Sequence, residues 1–145
     1  MSRTTRDLTC APEDVFAVLA NGWLYPGWVV GASRMRRVDE DWPAPASRLH
    51  HSVGVWPLLV DDSTSVLLMD PPRRLVMRAR GWPAGEAEVA IDVVPRPGGC
   101  RVTITEDATE GPATLIPGPV RNLALGVRNR ETLLRLAMLA EGGAG

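Results

Sequence analysis

Two polar side chains fall at positions that the strand pattern places inside the protein, and both could do chemistry. Glu106 is a carboxylate and His51 is an imidazole, and both kinds of group transfer protons in active sites. An arginine near the C-terminus, Arg128 or Arg130, could join them. If these groups share one space, they could orient a mostly apolar ligand that carries a few oxygen atoms. They could also shift each other's pKa for acid–base work.

A purely structural explanation competes with both chemical ones. An unpaired buried carboxylate is costly, so Glu106 needs a partner or water, and an arginine at the end of the sheet would be enough. His50 and His51 do not form a metal site, because adjacent side chains on a strand point to opposite faces. The sequence has no glycine-rich phosphate loop, nucleophile elbow or zinc spacing, so we expect no metal and no cofactor.

The middle of the chain predicts the strands that position these groups. Residues 3–9 are typical of a short edge strand, and six further segments alternate or end at turn residues, which favours an antiparallel meander. The breaks between them include Asp61-Asp62 and Pro95–Gly99. The six segments are Val29–Asp39, Ser47–Trp56, Thr64–Asp70, Arg74–Gly81, Glu86–Val94 and Arg101–Asp107.

Charge and apolar patterns together predict the register of one hairpin. Folding the chain at Pro83 aligns opposite charges on one face and apolar residues on the other, and a slip of one residue would disrupt both faces. The charged pairs are Arg80–Glu86, Arg78–Glu88 and Arg74–Asp92, and the apolar pairs are Ala79–Ala87, Met77–Val89 and Leu75–Ile91.

Extending the apolar face into neighbouring strands predicts which side chains point inward. Beyond the Pro95–Gly99 turn, Ile91 pairs with Ile104 and Val89 with Glu106, which places the carboxylate on the inner face. The same alternation on Ser47–Trp56 turns Leu49, His51, Val53 and Val55 inward and His50 outward.

The C-terminal segment Pro119–Glu141 predicts a long helix that closes over the sheet. Pro119 suits a first helical position, and Gly142-Gly143 suits a stop. Arg130 and Glu131 lie at the edges of its apolar stripe, so the helix could close over something that is not wholly apolar. We expect this stripe to be buried. It consists of Val120, Leu123, Val127, Leu134 and Met138, and Leu133, Ala137 and Ala124 broaden it.

An aromatic cluster follows the first predicted helix, which begins at Ala11 and ends at Asn21-Gly22. Trp23, Tyr25 and Trp28 lie within six residues, and Pro26-Gly27 prevents a long helix there. The three rings could line the mouth of a pocket or wedge a helical turn against the sheet.

Composition limits the class of protein. At 145 residues the chain is expected to form a single domain, residues 1–145, and its net charge of −1 gives no case for nucleic acid. It lacks an apolar run long enough to insert into a membrane, and its start lacks the apolar core of a signal peptide. We therefore expect a bacterial cytoplasmic protein. Cys10 and Cys100 form no metal motif and should be free thiols.

The order of these elements resembles the helix-grip fold of the START/SRPBCC superfamily, which also includes birch-pollen-allergen-like proteins. The similarity is greatest to its polyketide cyclase/dehydrase and lipid transport branch, and it extends over essentially the whole chain. The segments that carry it are Ala11–Leu19, Tyr25–Gly31, Leu49–Gly54, Asp70–Leu75, Thr105-Glu106 and Arg128–Leu133.

The resemblance implies an α+β fold: a curved seven-stranded antiparallel sheet wraps around the long C-terminal helix, with two short helices after the first strand. It also implies a cavity between sheet and helix that binds apolar molecules, and it makes Cys10 and Cys100 neighbours. Catalytic candidates are Glu106, His51 and Tyr25, the last by likeness to aromatase/cyclase relatives. The expected ligand-binding residues are Tyr25, Trp28, His51, Val53, Met77, Val89, Ile91, Ile104, Glu106, Val127, Arg130 and Leu134.

Three functions follow from this interpretation. The first is binding or transport of an apolar small molecule, lipid- or polyketide-like, and the second is an enzyme, a polyketide cyclase or dehydratase acting in the same cavity. The third is an interaction module whose cavity is filled by side chains. We expect a monomer or a homodimer, the latter through an outward sheet patch of Val66, Leu68, Val76 and Ala90.

Overall fold

The computed structural model describes residues 2–30, 32–53, 60–81 and 85–143, without the side chains of residues 32–34, 36, 53, 60–62, 81, 110, 112 and 113. In this part of the chain seven strands form one antiparallel sheet in the order β1-β7-β6-β5-β4-β3-β2. The predicted helix-grip fold is confirmed. The strands are β1 Ser2–Leu8, β2 Ala32–Val38, β3 Arg48–Val53, β4 Val60–Asp70, β5 Arg74–Gly81, β6 Gly85–Arg96 and β7 Gly99–Glu110.

The predicted register of the central strands is confirmed. Arg80 pairs with Glu86 and Met77 with Val89 between β5 and β6, and Val89 pairs with Glu106 between β6 and β7. The Arg80 Nε atom lies 3.2 Å from Glu86 Oε1 on the exposed face. The apolar face of the same strands is buried, so one register satisfies both faces.

Strand β4 differs from the prediction. Asp61 and Asp62 were expected in a turn, but they pair with Ser52 and His51 of β3. The ladder to β3 therefore overrides the low strand preference of aspartate, which is a weak and context-dependent effect. A bulge further along β4 leaves Val66 buried in the core, so the predicted outward patch that included it is wrong.

Short helices cover one end of the sheet. Helix α1 (Pro12–Ala20) begins where the Ala11 N–H donates to Asp14 Oδ2 at 3.1 Å. A 3₁₀ turn (Gly22–Leu24) and α2 (Tyr25–Trp28) follow. A Cβ on Gly22 would lie 2.4 Å from Leu49 Cδ2, so a glycine lets this aromatic turn pack directly on β3.

The long C-terminal helix α3 (Gly118–Glu141) follows a 3₁₀ turn (Pro112–Leu115) and packs across the sheet. The predicted orientation of its apolar stripe is wrong for the five central residues, which are exposed, whereas Leu133 and Ala137, which broaden the stripe, are buried as expected. At 100° per residue, the stripe lies roughly 140° around the helix from the observed inner face. The buried residues of α3 are instead Asn129, Thr132, Leu133, Leu136, Ala137 and Ala140.

The two halves of α3 have different inner faces, which explains this error. Its C-terminal half buries leucine and alanine, whereas its N-terminal half turns arginine and asparagine toward the sheet. Arg121 Nη2 lies 3.5 Å from Asp107 Oδ1, and Arg128 pairs with Glu106. These acidic partners on β7 hold the polar side of the helix inward, although its apolar residues would favour the opposite rotation.

Two further expectations concern membranes and thiols. Within the described residues, no helix is long and apolar enough to cross a membrane. Cys10 and Cys100 are free thiols, and the pairing of Leu8 with Cys100 between β1 and β7 brings the two cysteines close together, as the resemblance implies. Burial raises the pKa of Cys100 to about 11, so this thiol is a weak nucleophile at neutral pH.

Candidate functional site

A small cavity lies between the inner face of the sheet and the middle of α3. Within the described part of the chain it has a volume of about 40 Å³. Strands β5, β6 and β7 form its floor, α2 closes one end and α3 covers it. It is lined by Tyr25, Trp28, Val29, Met77, Val89, Ile104, Glu106, Arg128, Asn129 and Thr132.

Half of the twelve predicted ligand-binding residues line this cavity: Tyr25, Trp28, Met77, Val89, Ile104 and Glu106. Two more, His51 and Ile91, are buried in the interior but do not contribute to the lining. The side chain of Val53 lies outside the described residues.

The structure does not bring Val127, Arg130 or Leu134 into the lining of this cavity. All three side chains are exposed: Val127 is 59% exposed, and Arg130 lines a groove between α3 and residues 2–5 of β1. They were assigned to the cavity because the apolar stripe was expected to face the sheet. The rotation of α3 brings Arg128, Asn129 and Thr132 to the cavity instead.

The carboxylate of Glu106 lies in the cavity wall, as the alternation along β7 predicts. The residue is 4% exposed. Its Oε1 atom accepts hydrogen bonds from Arg128 Nη2 and from Asn129 Nδ2, the latter at 3.3 Å. Both contacts reach the same oxygen, and Oε2 receives no hydrogen bond from a described residue. A carboxylate has about four acceptor positions, so Glu106 can accept further hydrogen bonds.

Two buried donors add to the unused hydrogen-bonding capacity. Trp28 Nε1 and Arg128 Nε are shielded from solvent, and neither has a hydrogen-bond partner among the described residues. Buried polar atoms in folded proteins are nearly always paired, and a group without a protein partner needs water or a ligand. The residues that line this mainly apolar cavity therefore supply two unused donors as well as one unused acceptor.

A second polar group lies deeper beside the cavity. Thr64 Oγ1 is 2.9 Å from Tyr25 Oη and 2.9 Å from His51 Nε2, so the threonine links the phenol to the imidazole. The rings of Tyr25 and His51 stack with their centroids 5.3 Å apart. Burial raises the pKa of Tyr25 to about 12, so the phenol stays protonated at neutral pH. His50, in contrast, turns outward and contacts Asp39 Oδ1 at 3.1 Å.

Sequence reasoning missed Asn129 and Thr132, which both lie in the cavity wall. A signal for them exists, since Asn129, Thr132, Leu133, Leu136, Ala137 and Ala140 repeat at helical spacing. The prediction used only the apolar residues of the helix. It therefore overlooked this second stripe, because two of its members are polar.

The cavity is much smaller than a typical ligand site. A volume of about 40 Å³ holds about one water molecule, whereas small-molecule pockets usually measure about 300–1,000 Å³. The half of α3 on the N-terminal side of Asn129 is its least tightly packed part, because none of residues 118–128 is buried, whereas Asn129 and Thr132 in the cavity wall are buried. A larger ligand would therefore require this half of the helix to move away from the sheet.

Comparison with known proteins identifies relatives of this architecture. The family model for polyketide cyclase/dehydrase and lipid transport proteins matches residues 2–141. No curated protein matches this chain by sequence.

Several solved structures share the fold at low sequence identity. Protein NE0264 from Nitrosomonas europaea is 18% identical, with a TM-score of 0.72 over 97% of this chain and 93% of that one. The di-domain ARO/CYC StfQ from the steffimycin biosynthetic pathway is 14% identical, with a TM-score of 0.72 over 97% of this chain and 50% of its own. Ara h 8.0201 is 12% identical, with a TM-score of 0.63 over 93% of this chain and 96% of its own.

Proposed function

The chain belongs to the polyketide cyclase/dehydrase and lipid transport family, and we propose that it binds an apolar small molecule, lipid- or polyketide-like, between its sheet and its C-terminal helix. The observation that carries this proposal is the unused hydrogen-bonding capacity in the cavity wall. Glu106 Oε2 is an acceptor without a described partner, and Trp28 Nε1 and Arg128 Nε are donors without one.

The chemistry of the wall supports this ligand class. Met77, Val89 and Ile104 present an apolar surface, so most of the ligand should be hydrocarbon. A carbonyl oxygen would satisfy one of the buried donors, and a hydroxyl group would donate to Glu106 Oε2. An apolar chain or ring system with a few oxygen atoms fits this combination, whereas a highly charged metabolite does not.

Entry of such a ligand requires the cavity to enlarge. The C-terminal half of α3 is anchored by Leu133 and Leu136, and its N-terminal half contacts the sheet mainly through polar groups. Moving this half outward would expose little additional apolar surface, so the energetic cost of opening lies mainly in separating Arg121 from Asp107 and Arg128 from Glu106. The apolar part of the ligand would then occupy the space between α3 and the inner face of the sheet.

A blocking substitution tests this proposal. Val89 lines the cavity from β6, and tryptophan at this position would occupy the space that the ligand needs. We expect the wild-type protein to bind a fluorescent fatty-acid analogue saturably, and Val89→Trp to weaken binding about tenfold or more. Fluorescence titration gives both dissociation constants.

The matched control is Val94→Trp on the same strand, where the side chain is exposed. This variant adds the same ring away from the cavity and should bind the probe as the wild type does. Absence of saturable binding by the wild type, or equal loss in both variants, would overturn the proposal and favour a protein whose interior is simply filled.

One observation favours a second candidate, a cyclase- or dehydratase-type enzyme acting in the same cavity. The contacts between Tyr25, Thr64 and His51 form a continuous path for a proton from the cavity wall to a buried imidazole. Tyr25 lines the cavity, so its phenol is the member of this group that could reach a ligand.

The two candidates differ in their response to loss of the phenol. Tyr25→Phe removes the hydroxyl group and keeps the ring, so a binding protein should hold its ligand within about threefold of the wild-type affinity. If the protein is an enzyme of this type, the same variant should lose about 100-fold or more in kcat on a polyketide-like substrate, with its affinity retained. Unchanged turnover in Tyr25→Phe and Glu106→Gln would argue against both residues as catalytic groups.

A further inference from the structure

The outer face of α3 carries an apolar stripe whose side chains are exposed in the described part of the chain. Its side chains are between 37% and 67% exposed, although they recur at the spacing of a buried helix face. The stripe is 19 residues long, which at 1.5 Å per residue is roughly 28 Å. Its members are Val120, Leu123, Val127, Leu134 and Met138. Continuous apolar surfaces of this kind mark interaction sites more often than isolated exposed residues do.

Spacing along the stripe fits a partner helix that runs beside α3. Val120, Val127 and Leu134 are separated by seven residues each, so they shift by only about 20° per step and stay on one side of α3. A polar layer interrupts the stripe between Val127 and Leu134. Arg130 and Glu131 lie there, and at 100° per residue each is about 50° from the midline, on opposite sides.

The arrangement of these two charges selects the partner. In a dimer whose two-fold axis runs parallel to α3, the edge of the stripe that carries Arg130 faces the edge of the second copy that carries Glu131. Arg130 then faces the partner's Glu131, and Glu131 faces the partner's Arg130, so one operation forms two ion pairs. In an antiparallel helix pair, the same edge of the stripe meets in both copies. Arg130 then lies near the partner's Arg130 at the centre of the interface.

We propose that α3 of one copy of this chain binds α3 of a second copy in parallel, through the apolar stripe and the reciprocal Arg130–Glu131 contacts. The midline of the stripe lies roughly 140° around α3 from its buried face, although Leu123 and Arg130 border a groove beside β1, so the two sheets extend on different sides of the helix pair. Glu131 already contacts Arg135 Nε at 3.0 Å in its own chain, which orders the carboxylate at the edge of the stripe. Leu115 and Ile116 are also exposed just before α3 and extend the apolar surface.

Solution mass and charge exchange test this proposal. Light scattering after size exclusion at micromolar concentration should give twice the 15.7 kDa chain mass. Arg130→Glu should weaken the dimer about tenfold, because it places two carboxylates together at two symmetric contacts. The double variant Arg130→Glu/Glu131→Arg restores opposite charges across a parallel interface and should return the dissociation constant to within about threefold of the wild type.

Cross-linking tests the direction of the helices. In a Cys10→Ser background, Val127→Cys and Leu134→Cys should each form a symmetric disulfide on mild oxidation, because a parallel pair brings every stripe residue beside its own copy. In an antiparallel pair, a symmetric disulfide can form only at the position where the two-fold axis crosses the helices. Val94→Glu, which changes an exposed apolar residue on β6, should leave the dimer unaffected.

Three results would overturn the proposal. One is a monomer at all concentrations in both light scattering and cross-linking. A second is a dimer that the double charge exchange fails to restore, or in which one of the two cysteine variants alone cross-links. The third is a monomer that binds vesicles of zwitterionic lipid through this face, with binding abolished by Val127→Glu.

Discussion

Replacing Leu133 by alanine is expected to lower the free energy of unfolding by about 2–5 kcal/mol, the range measured for leucine-to-alanine changes in protein cores. Leu133 is fully buried between α3 and the sheet, in the half of the helix that holds the two layers together. The smaller side chain leaves a space that its neighbours fill incompletely. Urea denaturation followed by circular dichroism measures the change.

The matched control is Leu123→Ala on the same helix. Leu123 is 67% exposed, so the same substitution should cost less than about 0.5 kcal/mol when the chain is monomeric. Both variants are measured at submicromolar protein concentration, where the chain is monomeric. The difference in stability then contains no contribution from association through the apolar stripe. A larger loss for Leu123→Ala than for Leu133→Ala would mean that α3 presents the other face to the sheet.

Replacing Arg128 by methionine is expected to destabilise the protein by about 2–3 kcal/mol. The change leaves the buried Glu106 carboxylate with the Asn129 amide as its one described hydrogen-bond partner. Breaking a buried ion pair usually costs about 3–5 kcal/mol, and we expect less because the Arg128 side chain is 39% exposed. Chemical denaturation near neutral pH gives the value.

A double-mutant cycle separates the ion pair from the loss of packing. Removing both charges in Glu106→Leu/Arg128→Met should recover most of the stability, because no buried charge then lacks a partner. Arg135→Met breaks the exposed Arg135–Glu131 pair on the same helix and should cost less than about 1 kcal/mol. If Arg128→Met is as mild as this control, the Glu106 carboxylate is solvated and the interior site has no buried charge.

The strand residues of the site were predictable from sequence for a simple reason. Successive side chains on a strand alternate between faces, so fixing one pair fixes all of them. The charges of Arg80 and Glu86 set the register, and Ile104 and Glu106 then had to point inward. His51 followed from the same rule and is buried as expected.

The break expected at Asp61-Asp62 failed because local preference was the sole evidence for it. Aspartate is common in turns, but the preference is small compared with the hydrogen bonds of a strand ladder. Pairing with β3 kept the chain extended there. Turn residues thus predicted hairpins correctly where apolar and polar residues alternated in both flanking strands. They failed where this alternation was absent.

From the sequence alone, the order of elements, the hairpin register and the inward position of Glu106 could be determined, because each depends on a local repeat of two residues. The tertiary structure decided the rotation of α3 and the size of the cavity. A helix has no intrinsic inner face, since its orientation depends on the partners that both of its sides meet. Here acidic groups on β7 hold Arg121 and Arg128 inward. That rotation brings Asn129 and Thr132 to the cavity and leaves the apolar stripe exposed.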